Sequence, residues 1–174
     1  CPMLTFQDLN IPKLLLNALA DLGYSSPTPI QSASYPIILS GKNIVGIAQT
    51  GTGKTLAYML PLLKELKYSK QTQPRILILV PTRESVLQVV EQINSYAKYM
   101  DVRVIGVYGG TNIKTQMQAV LQGSDILVAT PGRLYDLALE RIVKLNEIKK
   151  LVIDEVDVML DLGLRFQLSN IFEL

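Results

Sequence analysis

The sequence contains no histidine, and Cys1 is its only cysteine. Without histidine, the chain cannot contain a Ser-His-Asp triad, a histidine general base or a histidine metal ligand. A single cysteine excludes an internal disulfide and a cysteine-based zinc site. The scarcity of cysteine suits a reducing compartment, and we expect a cytoplasmic location.

Long apolar runs and a strong net charge are also missing. No stretch approaches the ~18 consecutive apolar residues of a membrane span, and the N-terminus lacks the basic start and apolar core of a signal peptide. The formal net charge is +2, which argues against a polycation but permits a local basic groove. The 174 residues are 48% hydrophobic. We therefore expect one globular, monomeric domain, residues 1–174, without membrane association.

Short apolar stretches alternate with stretches of helical spacing. This alternation predicts an α/β fold, a mostly parallel sheet with helices on both faces. Ligands of such sheets bind at the carboxyl ends of the strands, where every polar motif of this sequence falls. The predicted strands are 43–47, 75–80, 102–107, 124–129 and 150–153, and the principal helices are 12–22, 29–39, 56–66, 83–99 and 116–121. The polar segment 67–74 is predicted to be a flexible loop.

The segment 48–55 lies between the first predicted strand and a helix, which is the context of a phosphate-binding loop. Gly51 and Gly53 allow a tight bend whose N–H groups turn inward, toward anionic oxygens. Lys54 can reach terminal phosphates, and Thr55 offers a hydroxyl to Mg²⁺. The alternative is a glycine-rich surface turn before an unrelated helix.

Adjacent acids, Asp154 and Glu155, follow the fifth predicted strand. A phosphate loop needs a carboxylate for its metal, and neighbouring side chains in an extended segment diverge. Asp154 is therefore expected near the water shell of Mg²⁺, and Glu155 is expected to deprotonate a water aimed at the γ-phosphate. The alternative is an acidic first turn that favours the dipole of the next helix.

Six sequence elements, in the order in which they occur along the chain, resemble those of the N-terminal RecA-like domain of DEAD-box ATP-dependent RNA helicases. The resemblance accounts for Ala48 at the first position of the phosphate loop, where the general pattern has glycine. The matching elements are the Q motif with its upstream aromatic (6–31), the phosphate loop (48–55), three RNA-contacting motifs (81–84, 109–110 and 130–133) and the acidic box (154–157).

The resemblance implies ATP and Mg²⁺ as cofactors and RNA as a partner. Gln31 would read the adenine edge, with Phe6 or Tyr24 packing near the base. The phosphate contacts would come from Thr50, Gly51, Thr52, Gly53, Lys54 and Thr55. The catalytic residues would be Glu155, Lys54 and Asp154. The metal would be held by Thr55 and Asp154, partly through water. The RNA backbone would be contacted, without sequence preference, by Pro81, Thr82, Arg83, Gly109, Gly110, Thr130, Pro131, Gly132 and Arg133.

Some of these residues have simpler local interpretations. Phe6 could pack against a helix, Gln31 could be a solvated polar residue of its helix, and Arg133 could cap or pair at a helix end. Three positions depart from the family pattern: Val156 replaces alanine, Ser85 replaces leucine with loss of one apolar contact, and Tyr24 replaces phenylalanine.

The sequence ends at Leu174, before the Ser-Ala-Thr motif and the second RecA-like domain of the family. We expect an RNA-stimulated ATPase that unwinds short duplexes or remodels RNA–protein complexes. Tested alone, this chain should bind adenine nucleotide with little activity, because the C-terminal helicase domain supplies arginines to the γ-phosphate. The alternatives are a P-loop DNA translocase or small-molecule kinase, and a non-catalytic RNA-binding module.

Overall fold

The computed structural model describes residues 5–40 and 53–155. Several predicted features lie outside these residues: the strand 43–47, the phosphate-loop residues Thr50, Gly51 and Thr52, and the segment that begins at Val156. The chain divides into two compact units. We call Cys1–Tyr68 with Gln92–Asp101 the helical unit, and Ser69–Glu91 with Val102–Leu174 the sheet unit.

The helical unit is built from amphipathic helices. It contains a 3-10 turn, Gln7–Leu9, and helices α1 (Lys13–Asp21), α2 (Pro29–Leu39) and α3 (Lys54–Glu65). In α1 the buried residues are Leu15, Ala18 and Leu19, a spacing that places them on one face. Helices α2 and α3 pack against each other. Helix α4 (Arg83–Tyr96) contributes residues to both units.

Among the residues that the structure describes, the sheet unit contains four parallel strands. They are β1 (Ile76–Leu79), β2 (Val104–Val107), β3 (Ile126–Ala129) and β4 (Lys150–Ile153), in the order β2-β3-β1-β4. Helices α5 (Ile113–Leu121) and α6 (Pro131–Leu139) and a 3-10 turn (Leu145–Glu147) alternate with them. The two inner strands, β1 and β3, are buried along their whole length, as expected of continuous apolar runs. The predicted α/β fold is confirmed.

The core of the sheet unit joins the sheet to its helices. Alternate residues of the inner strands, Leu77 and Leu79 of β1 and Leu127 and Ala129 of β3, pack with α6 and with Val120 of α5. Burying each leucine contributes roughly 1.5–3 kcal/mol. This packing fixes where each strand ends, and therefore where the polar segments after the strands begin.

The amino ends of the strands meet around the buried carboxylate of Asp125, which is 3% exposed. Its Oδ1 accepts hydrogen bonds from Arg75 Nη2 at 2.9 Å and Arg103 Nη2 at 3.2 Å, and its Oδ2 accepts one from the Arg103 backbone N–H at 2.8 Å. Burial by itself raises the pKa of Asp125, but these hydrogen bonds outweigh it and hold the pKa below its ordinary value.

The segment 67–74, predicted to be a flexible loop, is attached to this cluster. Arg103 Nη2 donates to the carbonyl oxygens of Ser69, at 3.1 Å, and Gln71, at 2.8 Å. The Gln73 side chain accepts a hydrogen bond from the backbone N–H of Lys144 at 2.9 Å. The segment has no regular helix or strand, as predicted, but specific hydrogen bonds hold its backbone.

Two helix boundaries differ from prediction by three residues, and the other boundaries of these predicted helices lie within two residues. Helix α5 begins at Ile113 instead of residue 116, because the Asn112 side chain caps it by accepting the N–H of Lys114 at 2.9 Å. Helix α4 ends at Tyr96 instead of residue 99. Within 5–40 and 53–155, no helix combines the length and apolar character needed to cross a membrane.

Candidate functional site

The four strands of the sheet unit end in register. Leu79 is paired with both Ala129 and Ile153, and Ala129 is paired with Val107. Backbone hydrogen bonds continue just past these residues, from Asp154 N to the Leu79 carbonyl at 2.9 Å. The segments 81–84, 109–110, 130–133 and 154–155 therefore begin along one edge of the sheet, as the predicted parallel direction of the strands implied.

The segment 81–84 leads from β1 into α4. The Thr82 hydroxyl accepts the N–H of Ser85 at 3.1 Å, which satisfies one of the unpaired donors at the start of the helix. Pro81 is buried, whereas Arg83 is exposed. The Arg83 guanidinium lies 5.0 Å from the centre of the Tyr108 ring. This cation–π contact holds Arg83 near the end of β2 while the side chain stays exposed.

The two acids after β4 have different environments. Asp154 is 7% exposed, and its Oδ1 accepts the backbone N–H of Glu155 at 2.8 Å. Glu155 has a φ of 55°, in the left-handed region that residues other than glycine rarely occupy. Its Oε2 accepts a hydrogen bond from Ser85 Oγ at 3.1 Å. The described hydrogen bonds of the two carboxylates differ, and their separate roles stay a prediction.

The glycine pair after β2 lies beside Arg133. Arg133 is 8% exposed; it donates from Nη1 to Gln116 Oε1 and from Nη2 to the Thr111 carbonyl, both at 2.9 Å. Gln116 Oε1 also accepts the N–H of Tyr108 at 3.2 Å. Arg133 therefore pairs within the protein, which agrees with its local interpretation, and its contact with RNA stays a prediction.

Gln116 is a residue that the sequence analysis missed. Once α5 begins at Ile113, Gln116 falls in the first turn, where a long amide side chain can reach back to the preceding strand. Asn112 was the available signal, because asparagine is a preferred N-cap residue.

The glycines of these segments are not required by packing. A Cβ atom built on Gly109 or Gly132 would meet no heavy atom of the described protein within 4 Å. Gly110 has a φ of 81°, so its conformation does favour glycine. Thr130 is the N-cap residue of α6, and Pro131 and Gly132 form its first turn.

In the helical unit, Gln31 connects the start of α2 to the start of α3. It forms a capping box with Thr28: Gln31 Oε1 accepts the Thr28 N–H at 2.9 Å, and Thr28 Oγ1 accepts the Gln31 N–H at 3.4 Å. Gln31 Nε2 donates to the carbonyl oxygen of Gly53 at 3.0 Å. Gln31 is 3% exposed, so it is not a solvated helix residue. Its contact with adenine stays a prediction.

Gly53 is the N-cap residue of α3, with a φ of 76°. It has no side chain with which to cap the helix, and Lys54 and Thr55 follow as the first helical residues, both partly buried. The positive end of a helix dipole and first-turn N–H groups favour an anion at such an end. Of the two predicted aromatic residues, Tyr24 is 46% exposed and Phe6 is buried.

Comparison with known proteins agrees with these motifs. Residues 28–174 match the model of the DEAD/DEAH box helicase family. The chain is 40% identical to ATP-dependent RNA helicase ddx23 of Dictyostelium discoideum, over 99% of this chain and 22% of that protein. It is 44% identical to ATP-dependent RNA helicase DeaD of Escherichia coli strain K12, over 91% of this chain and 25% of that protein.

A third relative is DEAD-box ATP-dependent RNA helicase 30 of Arabidopsis thaliana, 41% identical over 98% of this chain and 29% of that protein. The chain therefore spans about a quarter of the length of the curated relatives it matches. The family match, the parallel sheet and the ordered motifs agree: the chain belongs to the DEAD/DEAH box helicase family and corresponds to its N-terminal RecA-like domain.

Proposed function

We propose that this chain is the ATP-binding domain of an RNA-stimulated ATPase that unwinds short RNA duplexes or remodels RNA–protein complexes. The observation that carries the proposal is the common carboxyl edge of the sheet. It gathers the three segments assigned to RNA and the acid pair assigned to hydrolysis, 81–84, 109–110, 130–133 and 154–155. The named relatives, all ATP-dependent RNA helicases, support the same activity.

The start of α3 is proposed to bind the phosphates of ATP. Its first-turn N–H groups and dipole attract anionic oxygens, and Lys54 adds a positive charge. Gln31 supports this end of the helix because it holds the carbonyl of Gly53. Thr50, Gly51, Thr52 and Thr55 would complete the phosphate contacts. The exposed ring of Tyr24 is available for the base, whereas Phe6 would act from a buried position.

Hydrolysis is proposed to depend on the acid pair. Glu155 would accept a proton from the attacking water, and its carboxylate is held by Ser85. Thr55 and Asp154 would hold Mg²⁺, partly through water, since hydroxyl and carboxylate oxygens are ligands that Mg²⁺ prefers. When bound, Mg²⁺ neutralises charge on the phosphate oxygens.

RNA is proposed to contact the same edge through its backbone. Arg83 is exposed and offers a guanidinium to a phosphate. The open space around Gly109 and Gly132 permits close approach of a sugar–phosphate strand. Gly110, Thr130 and Pro131 would line this approach, and Thr82 and Arg133 would fix the segments that carry it. Such contacts position a strand without reading its sequence.

The test is ATP hydrolysis by the protein at its full encoded length, with and without RNA, compared with Glu155→Gln. We expect RNA to stimulate hydrolysis and Glu155→Gln to abolish it while ATP binding remains. Absence of RNA stimulation would contradict the proposal. Stimulation by DNA alone would support a translocase, and RNA binding without hydrolysis would support a binding module.

Nucleotide selectivity is a second test, and the 174-residue chain by itself can be used. We expect it to bind fluorescent ADP in preference to GDP and to hydrolyse ATP slowly. Gln31→Ala should weaken ADP binding more than Thr28→Ala does. Each change removes one of the two hydrogen bonds of the capping box, but only Gln31→Ala also removes the hydrogen bond to Gly53. Equal affinity for ADP and GDP would count against an adenine site.

A further inference from the structure

We propose that Ser85 is a positioning residue for Glu155, the residue through which the start of α4 fixes the base that deprotonates the attacking water. This inference rests on the proposed function, which assigns that role to Glu155. Ser85 is one of the three departures from the family pattern, because leucine usually occupies this position. Its side chain was expected only to lose an apolar contact.

The geometry gives the Ser85 hydroxyl one consistent orientation. Ser85 Oγ donates to Glu155 Oε2 at 3.1 Å and lies 2.8 Å from Thr82 Oγ1. Because an ionised carboxylate only accepts, the single hydroxyl proton of Ser85 points to Glu155. Thr82 then donates its own proton to Ser85 Oγ and accepts the Ser85 backbone N–H at 3.1 Å. Both hydroxyl groups and the Ser85 backbone N–H therefore have an acceptor.

Glu155 needs such a restraint more than most glutamates. Its backbone is in the left-handed region, with a φ of 55°. Such a conformation persists only where surrounding contacts stabilise it. Asp154 Oδ1 holds the backbone N–H of Glu155 at 2.8 Å, and Ser85 holds its carboxylate. A general base must lie within hydrogen-bond reach of its water, and a glutamate side chain has several rotatable bonds. The Ser85 hydrogen bond reduces that freedom, whereas a leucine cannot donate one.

The contact also joins two functional segments. Thr82 belongs to the segment 81–84 assigned to RNA, and Glu155 belongs to the acid pair assigned to hydrolysis. Two successive hydrogen bonds, Thr82 to Ser85 and Ser85 to Glu155, connect them.

The first experiment measures steady-state ATP hydrolysis of the protein at its full encoded length, with saturating RNA. We expect Ser85→Ala to lower kcat about 3- to 10-fold, because this is the effect of losing one net hydrogen bond in the reacting state. The KM for ATP and the affinity for RNA should each change less than about twofold. Ser85→Thr, which keeps the hydroxyl, should restore kcat to within about twofold of the original protein.

The matched control is Ser95→Ala. Ser95 lies on the same helix, and its hydroxyl donates to the Gln92 carbonyl at 2.7 Å. This control should leave kcat unchanged. An unchanged kcat in Ser85→Ala, or an equal loss in Ser85→Ala and Ser85→Thr, would overturn the inference.

A second experiment tests the contact without relying on activity. The free energies of unfolding of the original protein, Ser85→Ala, Glu155→Ala and the double variant form a double-mutant cycle. We expect the losses of unfolding free energy in Ser85→Ala and Glu155→Ala to be non-additive in the double variant. Additive losses would overturn the inference. In that case, RNA-stimulated hydrolysis by the original protein would still support the proposed function. If that protein shows no RNA-stimulated hydrolysis, the proposed function fails, and the positioning role fails with it even where the cycle shows coupling.

Discussion

The side-chain amide of Gln31 donates a hydrogen bond of 3.0 Å to the carbonyl oxygen of Gly53, 22 residues further along the chain. This bond connects the capped start of α2 to the start of α3, two helices that pack against each other. The segments predicted to be the Q motif and the end of the phosphate loop are therefore joined by a hydrogen bond within the helical unit.

Gly53→Ala should destabilise the protein by about 2–3 kcal/mol. The new Cβ would lie 2.5 Å from Gln31 Nε2, and alanine is strained at a φ of 76°. Gly23→Ala is the matched control, because Gly23 has a φ of 80° but its added Cβ meets no described heavy atom within 4 Å. This control should show only the backbone strain, about 1 kcal/mol. Urea denaturation measures both.

Removing the Gln31 side chain tests how much of the stability lost in Gly53→Ala comes from the steric contact with Gln31. In a Gln31→Ala background, Gly53→Ala should destabilise the protein about as little as Gly23→Ala does. If the Gln31→Ala background leaves the loss undiminished, contact with the Gln31 amide is not its cause.

Gly132→Ala should stabilise the folded protein by about 0.5–1 kcal/mol and weaken its binding to RNA. The added Cβ meets no heavy atom of residues 5–40 and 53–155 within 4 Å, and alanine favours a helix, so we expect an approaching RNA strand to be obstructed while the fold is not. The two readouts are thermal unfolding and fluorescence anisotropy with a single-stranded RNA.

Gly106→Ala provides the contrast to Gly132→Ala. Its Cβ would lie 2.8 Å from Val86 Cγ1 and 3.0 Å from Val90 Cγ2, so it should destabilise the protein by about 1–3 kcal/mol. RNA affinity that stays constant in Gly132→Ala would argue against close RNA approach at this residue.

Gln116→Ala should destabilise the sheet unit by about 1–2 kcal/mol. The change removes the acceptor of both Arg133 Nη1 and the Tyr108 N–H, and Arg133 is almost fully buried. Gln118→Ala is the control, because Gln118 is exposed on the same helix, α5. Chemical denaturation of the two variants should separate them clearly; equal stabilities would mean that the Gln116 contacts contribute nothing net.

Asp125 should make stability depend on pH in the acid range. Its pKa is lowered in the folded protein, so its contribution is fully present above the unfolded-state pKa of about 3.9 and is lost as the pH falls through the lower folded-state pKa. Asp125→Asn should be less stable by about 2 kcal/mol at neutral pH, since it leaves Arg75 and Arg103 without their carboxylate.

The measurement is the free energy of unfolding between pH 7 and pH 3. The Asp125→Asn curve should fall less steeply than the original below about pH 4, so the two curves converge. Parallel curves would show that Asp125 does not titrate differently in the folded and unfolded states.

The sequence predicted the parts of the fold that depend on local pattern. The inner strands β1 and β3 are continuous apolar runs and are buried along their length, and β4 begins and ends at the predicted residues although it is only partly buried. The common edge of the polar segments followed from strand direction alone. The start of α5 was wrong by one turn, because the capping role of Asn112 was not recognised.

The missed features are contacts between side chains distant in sequence. Ser85 and Glu155 are 70 residues apart, and Arg133 and Gln116 are 17 apart. Periodicity specifies which face of an element is buried, but it does not specify which polar groups meet across elements. The roles proposed for the motif residues rest on the family pattern and stay predictions, as does the cytoplasmic location.

The amino edge of the sheet carries a structural cluster, whereas the carboxyl edge carries the segments with proposed functions. Arg75, Arg103 and Asp125 tie the strands together at the amino edge, while the segments assigned to RNA and hydrolysis all lie at the carboxyl edge. Because these edges are separated by the length of the strands, substitutions at one edge should be nearly independent of those at the other. The segments assigned to RNA and hydrolysis can therefore change in sequence, between relatives or by design, without loss of the contacts that hold the strands together at the amino edge.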